Sequence, residues 1–154
     1  MQIKRIASGE SDLVVGLFDK YRVFYKQPSD QVLAENFITE RLINNESVIF
    51  VAMHETNGKI IPVGFAQLYP LYSSVRAIKN WILNDLYVER EYRKQGAGEK
   101  LIKASIDFAK ENKAKFIQLE TATDNFPAQS LYEAIGFKRQ EQINEFYIYR
   151  MELN

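Results

Sequence analysis

The stretch from Leu83 to Gly98 reads LNDLYVEREYRKQGAG and is the most informative segment of the chain. Its first part is apolar and aromatic, as in a strand, and two closely spaced glycines then precede a helical pattern. A helix N-terminus leaves backbone N–H groups unpaired and carries partial positive charge, and glycines let the backbone approach a ligand closely. The stretch therefore predicts a site for a phosphate or pyrophosphate, with Arg93 and Lys94 adding positive charge. A glycine-rich turn that merely connects a strand to a helix would share this pattern.

Two known phosphate-binding loops do not fit the spacing. The sequence lacks the G-x-x-x-x-G-K-[ST] run of a P-loop. A dinucleotide-binding fingerprint requires a third glycine three residues after Gly98, where this chain has Leu101. Glu120, about twenty residues further on, is a feature that the dinucleotide fingerprint would share. The loop, however, follows a long stretch whose pattern predicts mainly antiparallel strands, whereas a dinucleotide-binding fold has a mostly parallel sheet. We therefore set the dinucleotide interpretation aside.

Along the chain the sequence predicts the order β-α-α-β-β-β-α-β-α-β-β. An Asn-Gly turn at Thr56–Lys59 joins two antiparallel strands, and one strand–helix–strand crossover follows the glycine loop. This order indicates one domain over residues 1–154, built on a mixed α/β sheet. The helices are expected near residues 13–24, 31–44, 99–112 and 127–135, with Phe24 and Leu33 in the core. The strands are expected at Gln2–Ile6, Ser47–His54, Ile60–Leu71, Asn80–Glu89, Lys115–Glu120, Phe137–Gln142 and Glu145–Met151.

The composition excludes several classes of site. The 154 residues are 46% hydrophobic and 26% charged, and 20 basic residues balance 20 acidic ones. Because there is no cysteine, thiol nucleophiles, zinc–thiolate sites, iron–sulfur clusters and disulfides are excluded, and the single histidine, His54, excludes a multi-histidine metal site. The balanced charge gives no sign of a nucleic-acid partner, and the apolar runs are too short for a membrane span or a signal peptide. We expect a cytoplasmic protein without a metal.

Two motifs resemble those of a known family. Arg93-x-x-Gly96-x-Gly98, following Leu86-Tyr87-Val88, is similar to the acetyl-CoA signature [QR]-x-x-G-x-[GA] of the GNAT N-acetyltransferases. The stretch NFPAQSLYEAIGF, residues 125–137, is similar to a second segment of that family. The two motifs lie in the order that the family requires, separated by a helix and a strand. The resemblance implies the GNAT fold, a mostly antiparallel twisted sheet with one splayed parallel strand pair and about four flanking helices.

The resemblance also implies how acetyl-CoA is bound. The main-chain N–H groups of the glycine loop hold the CoA pyrophosphate, and the backbone of the preceding strand pairs with the pantetheine arm. A bulge splays this strand from Lys115–Glu120, and the thioester lies in the gap. Asn125 resembles the residue that hydrogen-bonds the cofactor arm. The residues assigned to acetyl-CoA are Leu86, Tyr87, Val88, Arg93, Lys94, Gln95, Gly96, Ala97, Gly98 and Asn125.

Two side chains are candidates for catalysis. Tyr132 resembles the general acid that protonates the departing thiolate, since a phenol of pKa about 10 keeps its proton at neutral pH and still delivers it to a thiolate whose thiol has a pKa of about 8.5. A packing role for this tyrosine is the alternative. A primary amine, with a pKa of about 10.4, needs a base. Asp85, on the strand that borders the gap, is the candidate base, with a structural role equally open and Glu120 in reserve. A strand N–H near Leu86 or Tyr87 would polarise the thioester carbonyl.

The expected acceptor is a primary amine of a small molecule, such as a polyamine or an amino acid, attacked directly in a ternary complex. Its pocket could be lined by Tyr21, Phe24, Tyr25 and Trp81, which could equally belong to the core, as we favour for Phe24. Residues 67–74 and 81–85 resemble the small Hpa-type branch, but polyamine-acetylating relatives often have Glu-Asp where this chain has Asn84-Asp85. The alternatives are a protein or peptide acetyltransferase, acting on lysines or N-termini, and a non-catalytic CoA-binding sensor. The aromatic strand Glu145–Met151 indicates a homodimer through an exposed edge, and rings that simply cover the sheet are the alternative.

Overall fold

The computed structural model of the protein describes residues 1–140 and 146–153. The chain divides into two compact units, Met1–Glu120 and Thr121–Asn154. The strands, all in the first unit, are β1 (Gln2–Arg5), β2 (Val48–Thr56), β3 (Lys59–Ser73), β4 (Ile78–Val88) and β5 (Ile117–Gln118). The first unit also holds α1 (Val15–Phe24), α2 (Gln31–Ile43) and α3 (Ala97–Glu111), and the second holds α4 (Phe126–Ile135). Of the helices so described, none is long and apolar enough to cross a lipid bilayer.

The strands form one mixed sheet whose spatial order follows the chain. β1 to β4 pair antiparallel, one after the other, and β5 pairs parallel with β4 through Trp81–Ile117 and Ile82–Gln118. A parallel pair needs a crossover connection, which α3 supplies. The mixed sheet predicted from the order of elements is confirmed.

A tight turn closes the hairpin between β2 and β3. Asn57 and Gly58 have φ values of 50° and 74°, and the flanking residues Thr56 and Lys59 pair with each other. A two-residue type I′ turn requires positive φ at both central residues, which asparagine and glycine tolerate best. The predicted turn is therefore confirmed, and it sets the register of the hairpin.

Helices cover both faces of the sheet within the first unit. Ile49 and Phe65 lie in the core cluster that α1 and α2 complete. Phe50 follows Ile49 in β2 and points to the opposite face, where its ring centroid lies 6.1 Å from that of Phe108 in α3. The Phe108 ring also packs edge-on against Trp81 of β4, at 4.9 Å. The centre of the sheet is thus buried on both sides.

Two residues that helical spacing assigns to the core are exposed, so that expectation was wrong. Phe24 keeps 60% of its accessible surface and Leu33 keeps 48%. Phe24 is the last residue of α1, and Leu33 lies in the first turn of α2. Each therefore lies at a helix end, away from the buried Leu17 and Ile38. Periodicity marks the inward face of a helix but not where the partner surface stops.

The C-terminal strands also differ from expectation. β5 has only two residues, in place of the predicted Lys115–Glu120. Residues 137–140 and 146–153 form no strand, and residues 141–145 lie outside the described part of the chain. Phe146, Tyr147 and Tyr149 are between 87% and 92% exposed. An alternating aromatic pattern supplies β propensity, but a strand also requires a hydrogen-bonded neighbour, which these described residues do not have. The edge strand behind the homodimer expectation is therefore absent from the described residues.

Candidate active site

β4 carries a bulge in its middle. Gln67 of β3 pairs with Asp85, whereas the next residue, Leu68, pairs with Leu83, so that Asn84 is the extra residue. A bulge bends the strand and increases its local twist. Pairing with β5 stops at Ile82, just before the bulge. Beyond it, residues 85–88 pair with β3 on one side and with no strand of the described chain on the other.

The register decides which backbone groups face this open side. Glu89 donates its N–H to the Val63 carbonyl at 2.8 Å. Residues of an antiparallel strand alternate between those that bond the neighbour and those that point away, so residues 85 and 87 bond β3. Leu86 and Val88 therefore direct their backbone groups to the open side. The Val88 carbonyl accepts a 2.8 Å hydrogen bond from Arg93 Nε, which agrees with that direction.

The glycine loop ends in a left-handed residue at the start of α3. Gly96 is the N-cap, with φ of 85°, and Lys94 has φ of 60°. A Cβ added at Gly96 or at Gly98 would meet no heavy atom of the described chain within 4 Å. Ala97, by contrast, is buried. Open space therefore lies beside the start of α3, where the first N–H groups of a helix are left without intrahelical partners, as an anion site requires.

Two side chains of the loop bond backbone carbonyls. Gln95 Nε2 donates to the Glu91 carbonyl at 2.9 Å, which closes the loop on itself. Arg93 Nε donates to the Val88 carbonyl. The guanidinium carbon of Arg93 lies 5.7 Å from the centroid of the Tyr87 ring and 5.9 Å from that of the Phe24 ring. The Arg93 cation thus packs against β4 and α1.

Asp85 is buried and held by several polar groups. It is 2% exposed, and it accepts hydrogen bonds from Gln67 Nε2 at 2.5 Å and from Asn84 Nδ2 at 2.6 Å. Burial raises the pKa of Asp85, and the side chains of Asn84, Gln67 and Tyr21 oppose the rise by stabilising the carboxylate. Sequence reasoning missed Gln67, although a polar amide within the apolar run of β3 was the signal that could have found it.

The hydrogen-bond chain continues on both sides of Asp85. Ser47 Oγ donates to Gln67 Oε1 at 2.8 Å, so the Gln67 amide bridges a hydroxyl and a carboxylate inside the sheet. Burial and the nearby Asp85 charge raise the pKa of Tyr69 to about 12 and also raise the pKa of Tyr21. The phenols beside Asp85 therefore remain protonated at neutral pH. The site combines a buried carboxylate with neutral hydroxyl groups.

A groove of about 490 Å³ opens beside α1 and the following loop. Lys20 on its wall forms an ion pair with Glu89, which follows β4. Asp19 is buried and accepts hydrogen bonds from Ser29 Oγ at 2.6 Å and from the Asp30 N–H at 2.8 Å, which fixes the loop between α1 and α2. These bonds lower the pKa of Asp19. The groove is lined by Asp19, Lys20, Val23, Phe24, Ser29, Gln31 and Tyr87.

The side chain of Asn80 in β4 fixes the segment just before β5. Asn80, 1% exposed, accepts hydrogen bonds at its Oδ1 from the Lys115 N–H at 2.9 Å and from the Phe116 N–H at 3.0 Å. Both donors lie immediately before β5. The two strands are therefore tied where they pair and are not paired beyond the bulge. Glu120, the reserve base, is an exposed residue two positions after β5.

The second unit carries the two remaining candidates on α4. Asn125 is the N-cap, and its Oδ1 accepts a hydrogen bond from the Ala128 N–H at 3.3 Å. Tyr132 is partly buried, with its ring centroid 6.1 Å from that of Phe137. Gly136, with φ of 121°, ends the helix as the sequence predicts. Seven residues are about two helical turns, so Asn125 and Tyr132 lie on the same side of α4.

Comparison with known proteins agrees with this geometry. The model of the acetyltransferase (GNAT) family matches residues 14–137. The uncharacterized N-acetyltransferase YhfO of Bacillus subtilis is 44% identical over 138 residues, which are 90% of this chain and 90% of that protein. An N-alpha-acetyltransferase of Sulfurisphaera tokodaii is 31% identical over 119 residues, covering 72% of this chain and 68% of that protein. A crystal structure of a probable acetyltransferase superposes with a TM-score of 0.86 at 36% identity, over 100% of this chain and 99% of that one. The chain therefore belongs to the GNAT family of acetyltransferases.

Proposed function

We propose that this enzyme transfers the acetyl group of acetyl-CoA to the primary amine of a small molecule, by direct attack of the amine in a ternary complex. Acetyl-CoA is the donor that GNAT acetyltransferases use. The observation that carries the proposal is the Asp85 carboxylate, which is buried and hydrogen-bonded at the point where β4 leaves β5. A base at this position would lie on the strand whose outer edge is open, which supports the proposal. Because the chain has no cysteine, transfer through an acetyl-cysteine is excluded.

The open strand edge and the glycine loop fit acetyl-CoA, which supplies the activated thioester. Leu86 and Val88 offer their outward backbone groups to the pantetheine arm, as an edge strand does to an added strand. The N–H groups of the loop from Arg93 to Gly98 would hold the pyrophosphate, and the space beside Gly96 and Gly98 admits it. Since Leu86 points its N–H outward and Tyr87 does not, we assign the donor to the thioester carbonyl to Leu86.

Two side chains divide the proton transfers. Tyr132 holds a proton for the departing thiolate, and Asn125 binds the cofactor arm from the N-cap of the same helix. Asp85 is the base for the acceptor. Deprotonation of an alkyl ammonium group of pKa about 10.4 at pH 7 costs about 4.6 kcal/mol of free energy. The raised pKa of Asp85 makes this carboxylate a better base than an exposed one.

The groove beside α1 supports a small acceptor. Its volume of about 490 Å³ lies in the range of small-molecule sites, and it offers both apolar and charged walls. Asn84, which takes the place of the acidic residue expected in polyamine-acetylating relatives, is neutral and bonds Asp85. We therefore place the enzyme near the Hpa-type branch with an acceptor less cationic than a polyamine. A peptide N-terminus is the second candidate, favoured by the N-alpha-acetyltransferase relative.

The test is thiol release from acetyl-CoA against a panel of amines: spermidine, free amino acids, thialysine, aminoglycosides and peptides with free N-termini or lysines. Turnover of a small amine supports the proposal, and turnover of peptides alone replaces it with the second candidate. Tight CoA binding without any turnover would instead leave an acceptor outside the panel or a CoA-binding sensor. Tyr132→Phe should lower kcat by about 100-fold at saturating substrates. Tyr72→Phe, which alters a tyrosine that is 68% exposed on β3, is the matched control and should leave kcat unchanged.

Location and assembly are part of the same proposal. We propose a cytoplasmic, single-domain enzyme, as the composition predicts. For a homodimer, we propose the exposed aromatic side chains of Phe146, Tyr147 and Tyr149 as the interface, without the strand edge that the sequence predicts. Sedimentation velocity on the full chain and on a variant with Phe146 and Tyr149 both changed to Ser distinguishes a dimer from a monomer.

A further inference from the structure

The chain between β4 and α3 packs two neighbouring side chains on opposite faces of the sheet. Tyr92 contacts His54 of β2, with ring centroids 5.0 Å apart and the ring planes tilted by 56°. Arg93 packs against the rings of Phe24 and Tyr87, on the face that α1 covers. His54 is the single histidine of the chain, and neither the composition nor the proposed reaction gives it a role.

The strand geometry of β2 determines the face on which His54 lies. Met53 packs against the core cluster that α1 and α2 complete. Because successive residues of a strand point to opposite faces, His54 points to the face that α3 covers. Phe50, on the same face as His54 by this alternation, packs against α3. Tyr92 therefore lies on the α3 face of the sheet, and Arg93 lies on the α1 face.

The hydrogen bonds at Tyr92 and Gln95 join residues that are close to each other in the chain. The Tyr92 N–H donates to the Glu89 carbonyl at 2.9 Å, and Gln95 Nε2 donates to the Glu91 carbonyl at 2.9 Å. Such bonds shape the loop, but they do not fix its position against the sheet. The Tyr92 ring and the Arg93 guanidinium supply that position, because they contact β2 on one face and α1 on the other.

We propose that His54 and Tyr92 are positioning residues for acetyl-CoA, an inference that rests on the proposed function. Together with Arg93 on the opposite face, their ring contact forms a clamp that holds the glycine loop where its N–H groups meet the CoA pyrophosphate. The loop and its ligand are held by backbone N–H groups whose direction matters, so a loop that shifts loses affinity. The clamp thus acts on the binding of the donor and not on the transfer of the acetyl group.

The test is the dissociation constant of CoA, measured by titration calorimetry on the full chain. His54→Ala and Tyr92→Ala should each weaken CoA binding by about three- to tenfold, because each change removes the ring contact. The double variant should bind CoA about as weakly as the weaker single variant, because both changes break one contact. Thr56→Ala, two residues further along the same face of β2, is the matched control and should bind CoA as the wild type does.

Further readouts distinguish positioning from a general loss of structure. His54→Phe keeps a ring opposite Tyr92 and should bind CoA within about twofold of the wild type. In turnover of the fastest amine, His54→Ala should raise KM for acetyl-CoA and leave kcat unchanged at saturating donor. With S-acetylpantetheine, a thioester donor that lacks the pyrophosphate, His54→Ala and the wild type should react equally fast. Thermal unfolding of each variant verifies that it is folded at the assay temperature.

The outcomes separate the clamp from the proposed function. If the wild type binds no CoA, both are wrong. If it binds CoA but acetylates no amine of the panel, the proposed transfer to those amines fails, and the CoA affinities of the variants still decide on the clamp. The clamp alone is wrong if His54→Ala and Tyr92→Ala bind CoA as tightly as Thr56→Ala does. It is also wrong if His54→Phe binds CoA as weakly as His54→Ala, because the ring contact would then not be the cause.

Discussion

Asn84 donates a 2.6 Å hydrogen bond to the carboxylate of Asp85, although the two residues are neighbours in one strand. In a regular strand, successive side chains point to opposite faces. The bulge breaks that alternation at Asn84, so that the two side chains meet. Of the hydrogen bonds that oppose the raised pKa of Asp85, the one from Asn84 contributes most.

Asn84→Ala should therefore shift the pH dependence of catalysis. Loss of a hydrogen bond to the charged form raises the pKa of Asp85 further, so the acid limb of kcat/KM should move to higher pH by about one unit. The measurement is a pH–rate profile with the acceptor found in the amine panel. Asn36→Ala, at an exposed asparagine of α2, is the control. An acid limb at the same pH in both variants would show that Asp85 is not the titrating base.

The two glycines of the loop should respond differently to alanine. Gly96 is left-handed, so Gly96→Ala should lower the free energy of unfolding by about 1–2 kcal/mol. Gly98 lies within α3 beside open space, and Gly98→Ala should stabilise the protein by about 0.5–1 kcal/mol. If the CoA pyrophosphate occupies that space, Gly98→Ala should nevertheless weaken CoA binding by about tenfold, or about 1.4 kcal/mol. Denaturant unfolding and titration calorimetry with CoA measure the two effects, and unchanged CoA affinity in Gly98→Ala would place the pyrophosphate elsewhere.

Gly64 is required by the close approach of β3 to β4. A Cβ at Gly64 would lie 2.9 Å from the Tyr87 carbonyl oxygen and 3.1 Å from Val88 Cγ2. Gly64→Ala should therefore destabilise the fold by about 1–3 kcal/mol and disturb the strand edge assigned to the pantetheine arm. Gly16→Ala, in α1 with no described atom within 4 Å of the added Cβ, should be neutral or slightly stabilising. Equal unfolding midpoints for the two variants would contradict the close approach.

Asn80 should control the position of β5. Asn80→Leu keeps the size of the side chain but leaves the N–H groups of Lys115 and Phe116 without their acceptor, so stability should fall by about 2 kcal/mol. Asn80→Asp retains an acceptor for both donors and should keep CoA affinity closer to that of wild type. Titration with CoA and thermal unfolding compare the two variants. Equal CoA affinity in Asn80→Leu and wild type would show that the gap does not depend on this contact.

The sequence alone predicted the turns and helix ends that depend on a single residue or its neighbours. The Asn57–Gly58 turn, the start of α3 at the glycine loop and the end of α4 at Gly136 each follow from a residue that tolerates positive φ. The order of elements predicted the mixed sheet, because a strand–helix–strand connection joins parallel strands and a tight turn joins antiparallel ones. The predicted burial of Phe24 and Leu33 was wrong, because burial depends on which element packs opposite a residue. The strands predicted after α4 are absent from the described residues, because a strand needs a hydrogen-bonded partner.

The candidate site divides in the same way. The loop from Arg93 to Gly98 and the carboxylate of Asp85 on the preceding strand follow from the sequence alone, since a motif is a run of adjacent residues. The burial of Asp85 and its hydrogen bond from Gln67 of β3, 18 positions away, arise from the tertiary structure. The same holds for the hydrogen bond that Ser47 donates to Gln67, 20 positions away. Their geometry depends on strand register and helix packing, which the order of residues along the chain does not encode locally.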